Sequence, residues 1–162
     1  MATQNTLPQR MNAAEYRAFL LQQQRNRPAK HHNRHVYVFA DGFVSNEKAD
    51  AAKHGAIVDR FDSEKEYARW GQLRLLEKAG RISELKKQVP LLVHEEFVDP
   101  QGKKHRATHY NADFTYVENG RQIVEDVKGQ DKNTGKYLTT QVFNLKWKLL
   151  QARYPEKTFR LY

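Results

Sequence analysis

Two short segments of this 162-residue chain hold the side chains best suited to chemistry: Tyr110-Asn111-Ala112-Asp113-Phe114 and Val124-Glu125-Asp126-Val127-Lys128-Gly129. Asn119-Gly120 between them is a two-residue hairpin signal, so the two segments are expected to be neighbouring antiparallel strands. Period-two geometry puts Asp113 on one face with Asn111 and Thr115, and Ala112, Phe114 and Tyr116 on the other; it also puts Asp126 and Lys128 on one face. A lone aspartate on a strand, or a carboxylate and lysine on an open sheet face, is commonly only solvated. Two carboxylates and an ammonium converging from adjacent strands are a different matter. The carboxylates repel unless a cation lies between them, and two hard oxygen ligands with positions left for water and phosphate suit Mg²⁺, with Mn²⁺ a substitute. Such a cation activates water and neutralises charge developing on a phosphate, while Lys128 orients or deprotonates that water and stabilises the transition state.

Other side chains are candidates around this pair. Ser63-x-x-Glu66 reads as a helix capping box, which accounts for Glu66 without catalysis; yet Glu66 also lies one turn from Trp70 on the buried side, where a carboxylate needs a partner or a metal. Both roles stay open. Lys146 projects between Val142, Phe143, Leu149 and Leu150, so it either snorkels or points at an anion, and a phosphate-binding or site-supporting role is the favoured reading. Lys136, Lys148 and Arg153 read as phosphate-backbone contacts or as solvated charge, and Arg25, Arg27 and Lys30 as a basic cluster before the domain. His31, His32 and His35, and His105 with His109, have spacings that zinc tolerates, but no carboxylate or thiolate partner stands close to them in sequence, so phosphate contact is preferred for the N-terminal group.

The elements that must position these residues follow from periodicity. Ser63 opens a helix with apolar Tyr67, Trp70, Leu73 and Leu76, closed by Gly80. An extended stretch over 85–97, the turn Asp99-Pro100-Gln101-Gly102 and a second stretch over 105–117 should form a pair. A third strand covers 122–128. After a polar loop containing Asn133-Thr134-Gly135, a helix covers 139–153, Pro155 closes it, and 158–162 form a last strand. The order is α-β-β-β-α-β, an α/β class. Upstream, Val36-Tyr37-Val38-Phe39 reads as a strand, Asp41-Gly42 as a turn, and Ser45 as the cap of a short helix reaching His54-Gly55. The chain divides into a basic arm over 1–35, with a short helix around 13–24, and a single domain over 36–162 whose motifs occupy 61–162.

Charge distribution limits the functional classes. Residues 1–35 carry six basic groups and one acidic, residues 128–162 carry eight and two, and the remainder fourteen and sixteen, within a total of +9. Basic ends suit a polyanion, whereas a protein that merely coats DNA does not need the acidic middle. No apolar run spans a bilayer, Met1 to Arg10 lacks a signal-peptide core, and there is no cysteine, so a cytoplasmic protein without disulfides is expected.

The ordered set of a helix bearing Glu66, a strand bearing Asp113 and a neighbouring strand bearing Asp126-Val127-Lys128 resembles the PD-(D/E)XK, restriction-endonuclease-like nuclease superfamily. More narrowly, Phe61-Asp62-Ser63-Glu64-Lys65-Glu66, Gln88-Val89-Pro90, Ala112-Asp113-Phe114 and Glu125-Asp126-Val127-Lys128-Gly129 resemble small phage and prophage proteins of that superfamily, over about 60% of the chain. Ala112 stands where the superfamily name has proline. Glu125 competes with Asp126 as the acidic ligand, and strand parity favours Asp126. The resemblance implies a mixed central sheet flanked by helices, and metal ligation by Asp113, Asp126, the Val127 carbonyl and Glu66. It also implies a DNA endonuclease, structure-specific for branched or junction DNA in phage recombination, replication or packaging, with a homodimer and phage replication or recombination proteins as partners. An exonuclease, an RNA-cutting enzyme and a non-catalytic binding module are the alternatives.

Overall fold

A computed structural model describes residues 34–162; the expected helix around 13–24, Arg25, Arg27, Lys30, His31 and His32 lie outside the described residues. Val36-Tyr37-Val38-Phe39 does form a strand, β1 (Val36–Phe39), with Val36 and Phe39 buried. It is the middle of a three-stranded antiparallel sheet with β2 (Val44–Ser45) and β3 (Ile57–Phe61), a strand the sequence pattern did not announce. Ser45 does not cap a helix. It lies in β2, where its hydroxyl accepts from Glu47 N and donates to Asp50, and helical structure begins later, as a 3-10 turn (Lys48–Asp50) leading into α1 (Ala51–His54).

From Ser63 onward the order is α2 (Glu64–Lys78), β4 (Ser83–His94), β5 (Phe97–Val98), β6 (Lys104–His105), β7 (Thr108–Glu118), β8 (Arg121–Asp126), α3 (Gln141–Arg153) and β9 (Thr158–Leu161). The main sheet runs β4-β7-β8-β9, antiparallel except for the parallel β8–β9 pair, so the fold is α/β with a mixed central sheet. The expected pairing of 85–97 with 105–117 holds for β4 and β7. Between them, the Asp99–Gly102 turn closes its own small β5–β6 hairpin instead of extending the long strands.

Local chemistry explains the boundaries. Ser63 Oγ accepts from Glu66 N at 3.1 Å to start α2, and at its end Gly80 adopts φ 67, with Gly80 N bonding Glu77 O and Arg81 N bonding Leu76 O. That left-handed residue satisfies two carbonyls the last turn leaves free. Thr140 Oγ caps α3 in the same way, through Phe143 N at 3.1 Å.

The sheet has an apolar layer on each face. On the α2 side Leu73, Ile82, Phe114, Tyr116, Ile123 and Val127 pack together; on the α3 side Val93, Ala112, Val124, Phe143, Trp147 and Leu150 do. Strict alternation along β7 would put Ala112, Phe114 and Tyr116 on one face, as the sequence suggests. They divide instead: Ala112, and Tyr110 beside it, belong to the α3 layer, and Phe114 and Tyr116 to the α2 layer. β4 changes face at the same level. Leu85 packs in the α2 layer and Lys87 lies over the Phe61 and Trp70 rings, whereas Leu91 and Val93 face α3. The register places Gln88 opposite Asp113 at this crossing, and Gln88 has φ 51. A left-handed glutamine costs about 1–2 kcal/mol, which the packing of both layers must offset.

Candidate active site

Asp113 sits at the face crossing of β7, and Asp126 at the end of β8, where the two strands are about to separate. Phe114 pairs with Glu125, so the next step of the register brings Asp113 and Asp126 side by side. Asp113 Oδ2 accepts from Val127 N at 2.8 Å and Oδ1 from Gln88 Nε2 at 3.3 Å. Asp126 is fully buried and receives two donors, the Tyr110 hydroxyl on Oδ1 and Lys128 Nζ on Oδ2. Lys128 Nζ also lies 4.5 Å from the centre of the Phe143 ring, which carries it on the α3 side of the sheet. Asp113, Asp126 and Lys128 therefore come together.

The adjacent acids have separate jobs. Glu125, also fully buried, faces α2 and is held by Arg69 Nε at 2.6 Å, Arg69 Nη2 at 2.8 Å and the Tyr116 hydroxyl at 2.7 Å. Arg69 stacks on the Tyr162 ring at 4.0 Å, and Arg160 donates to the Tyr116 oxygen from the other side. With every oxygen of Glu125 committed, Asp126 is the acid of this pair that faces Asp113. Lys65, on α2, fixes the chain just beyond: its Nζ donates to the carbonyls of Lys128 at 2.7 Å and Tyr162 at 2.9 Å.

Electrostatics single out Asp113. Burial, and next the Asp126 charge, push its carboxyl up to about 7, against the opposing pull of the Val127 N–H and Lys128. Burial likewise raises Glu66, with the Asp126 charge adding to it, and holds the Tyr110 hydroxyl protonated far above its ordinary range, Asp126 again contributing. This corner carries more negative charge than its own cations neutralise. That excess fits a divalent cation: two aspartates offer hard oxygens, each with lone pairs beyond those used by protein donors. Glu66 is committed differently, its Oε2 accepting from Asp62 N at 3.2 Å and its Oε1 from the Ser63 hydroxyl at 3.2 Å, so its capping role is formed. Among the described residues no three Asp, Glu or His side chains converge as a ready metal cage. The donor set available is Asp113 and Asp126 with main-chain oxygen.

A stability measurement tests this charge excess. Because the folded carboxyl of Asp113 titrates above its unfolded value of 3.8, the folded state holds the proton more tightly; its contribution to stability is complete below pH 4 and is lost as pH rises to about 7. Denaturant titrations in EDTA should find Asp113→Asn gaining ~2–4 kcal/mol relative to wild type between pH 4.5 and pH 8. A difference that stays constant with pH would refute the assignment.

The remaining expected residues are placed as follows. Lys146 Nζ reaches the His109 carbonyl at 3.2 Å, beside Tyr110, at the edge of the α3 layer. Lys148 and Lys136 are exposed, and Arg153 pairs with Glu95. His105 is engaged with its own hairpin: its Nε2 meets Asp99 at 2.9 Å and its ring stacks on Phe97. Tyr110 and the Arg69–Glu125 pair were not legible in sequence. Tyr110 has the opposite parity to Asp113, and only the face crossing turns it toward Asp126.

The profile of a family described as "Protein of unknown function (DUF1064)" matches residues 46–161. The chain belongs to that family. The match takes in every element named here from the 3-10 turn to β9, and so both aspartates, Lys128, Gln88 and the α2 capping box; β1 and β2 precede it. A comparison with curated proteins gave no match. Among the described residues no helix is long and apolar enough to cross a membrane.

Proposed function

We propose that this chain is a metal-dependent nuclease of the restriction-endonuclease-like class, hydrolysing DNA phosphodiesters at Asp113, Asp126 and Lys128, with branched or junction DNA of phage recombination, replication or packaging as its substrate. The observation that carries the reading is the meeting of two carboxylates from adjacent strands beside one ammonium, with the Asp113 carboxyl pushed up to about 7 by burial and its neighbour. A structural ion pair has no use for the second carboxylate.

Asp113, Asp126 and the Val127 carbonyl would hold Mg²⁺ or Mn²⁺, with Glu66 behind them. When bound, the cation lowers the pKa of a coordinated water and offsets charge on the phosphate. The chain's own residues do the rest. Val127 N–H and Gln88 fix the Asp113 carboxylate, and the Tyr110 hydroxyl fixes one oxygen of Asp126. Lys128, poised on the other Asp126 oxygen, is placed to orient the attacking water and to stabilise the negative charge that builds on phosphorus oxygens. Lys146, at the rim, and exposed Lys136 and Lys148 supply cations for the backbone on either side of the scissile bond.

The test is a labelled panel of single strand, duplex, flap, fork, four-way junction and RNA, incubated with Mg²⁺, Mn²⁺ or EDTA and with wild type or Asp113→Asn. Cation-dependent cutting by wild type alone, strongest on a branched substrate, is the expected result. Cutting confined to ends or to RNA would move the substrate class. Binding with no cutting under any condition would leave a non-catalytic module.

A further inference from the structure

The connection between β4 and β7 is a two-stranded ribbon whose faces differ in chemistry. Phe97 pairs with His105 and Val98 with Lys104, and paired residues share a face, so Phe97 and His105 lie on one side of the ribbon and Val98 and Lys104 on the other. On the first side the Phe97 and His105 rings stack with centroids 4.6 Å apart and planes 11° from parallel, and the His94 ring meets Phe97 edge-on at 5.2 Å. On the second side Lys104 and Arg106 border an open concavity of about 700 Å³, lined also by Glu96 and Ala107. Phe97 is 46% exposed and Val98 63%. The turn between the strands holds this shape: Asp99 Oδ1 accepts from Gln101 N at 3.0 Å and Lys103 N at 2.9 Å, while Oδ2 meets His105 Nε2 at 2.9 Å.

We propose that this ribbon binds an unpaired DNA strand, its phosphates running along Lys103, Lys104 and Arg106 and one base extending the Phe97–His105 stack. The inference rests on the nucleic-acid reading above and names the part of a branched substrate that the ribbon takes. Charge selects a polyanion. Lys103-Lys104-His105-Arg106 is a basic run inside the acidic middle of the chain. The neighbouring acids are each turned to a partner of their own: Glu95 to Arg153, Asp99 to His105 and the turn amides, and Glu96 to Lys104. Lys104 is 64% exposed and Glu96 61%, so water screens that pair and a phosphate competes for the ammonium. Among the described residues Lys103 and Arg106 meet no carboxylate. The exposed rings select an unpaired strand. A duplex hides the faces of its bases between their neighbours, whereas a single strand presents them, and a base stacked on an aromatic ring is worth roughly 5- to 150-fold in affinity whatever its identity. The ribbon is also within reach of the candidate site. The five residues from Thr108 to Asp113 put its foot roughly 17 Å along β7 from that carboxylate.

Fluorescence anisotropy of the full chain in EDTA, with a labelled oligo(dT) strand and a duplex of equal length, reads binding without cleavage. Wild type is expected to bind the single strand. Phe97→Ala should weaken that binding by about 10-fold, with duplex affinity held within about twofold and melting that of wild type. Phe97→Trp should restore it. Arg106→Ala should lower single-strand affinity and reduce the slope of log K against log salt by about 0.7. Single-strand affinity that Phe97→Ala leaves unchanged overturns the stacking contact, and a slope that Arg106→Ala leaves unchanged overturns the backbone contact. Equal weakening of strand and duplex by Phe97→Ala overturns the preference for unpaired DNA. A wild-type chain that binds duplex alone, or neither, overturns the proposal and leaves Phe97 and Val98 to a protein partner. Every measurement is made in EDTA, so failure here leaves cation-dependent cleavage standing, and absence of cleavage leaves binding at the ribbon standing.

Discussion

Asp126→Asn is expected to lower cation-dependent cleavage by ~10³-fold or more, equivalent to about 4 kcal/mol of transition-state stabilisation, while DNA affinity measured in EDTA stays within about twofold of wild type. The amide keeps the shape of the carboxylate, its oxygen still accepts from Tyr110, and Lys128, whose side chain is 23% exposed, can turn to water when its counter-charge is gone. Folding should therefore survive, with a melting temperature within a few degrees of wild type. The pairing of lost cleavage with retained binding is what distinguishes a ligand from a structural carboxylate. If cleavage persists, Asp126 is not part of the reacting centre. If the protein unfolds, the Tyr110–Asp126–Lys128 cluster is structural.

Arg69→Met should be the most destabilising substitution near the site. Glu125 has no solvent exposure and depends on Arg69 for two of its three hydrogen bonds, so the variant strands a buried carboxylate with only the Tyr116 hydroxyl. Breaking such a pair from one side costs about 3–5 kcal/mol, which for a chain of this size lowers the melting temperature by roughly 10 °C. Replacing both partners, Arg69→Met with Glu125→Leu, removes the stranded charge and should recover most of the loss; Tyr116, deprived of Glu125, still accepts from Arg160 at 3.2 Å. Chemical denaturation of the two single variants and the double variant gives the coupling directly. A double variant no more stable than Arg69→Met would show that Glu125 is held by something other than its charge.

Much of this arrangement follows from local sequence, for identifiable reasons. The α2 capping box, its closing Gly80 and the Asn119-Gly120 turn each satisfy backbone groups within a few residues, so composition is enough to place them. Asn119 takes φ 51 and Gly120 φ 75, as the turn requires. Parity along β8 likewise separated Glu125 from Asp126, because that strand stays regular and its two faces stay distinct.

The same parity rule misplaced Ala112 relative to Phe114 on β7, and so gave no sign that Tyr110 would reach Asp126. A face crossing depends on Gln88, a residue with no special turn preference, holding a left-handed backbone in the neighbouring strand, and nothing in the local pattern of either strand encodes it. Arg69 and Glu125 are 56 residues apart, and their pairing exists only once α2 lies across β8. The apolar residues of α3 were legible, but not that Phe143, Trp147 and Leu150 would be covered and Val142, Leu145 and Leu149 open, since coverage depends on which side the sheet occupies. Sequence by itself determined the main order from α2 to β9, the α2 and Asn119-Gly120 capping and turn chemistry, and the identity of Asp113, Asp126 and Lys128 as neighbours, because each rests on contacts between residues close along the chain or across one tight hairpin; it did not determine β2, β3 or the small β5–β6 hairpin. The tertiary structure alone decided which donors hold those carboxylates, how far burial raises Asp113, and which half of α3 remains open, because burial and long-range pairing are properties of packed layers rather than of any single segment.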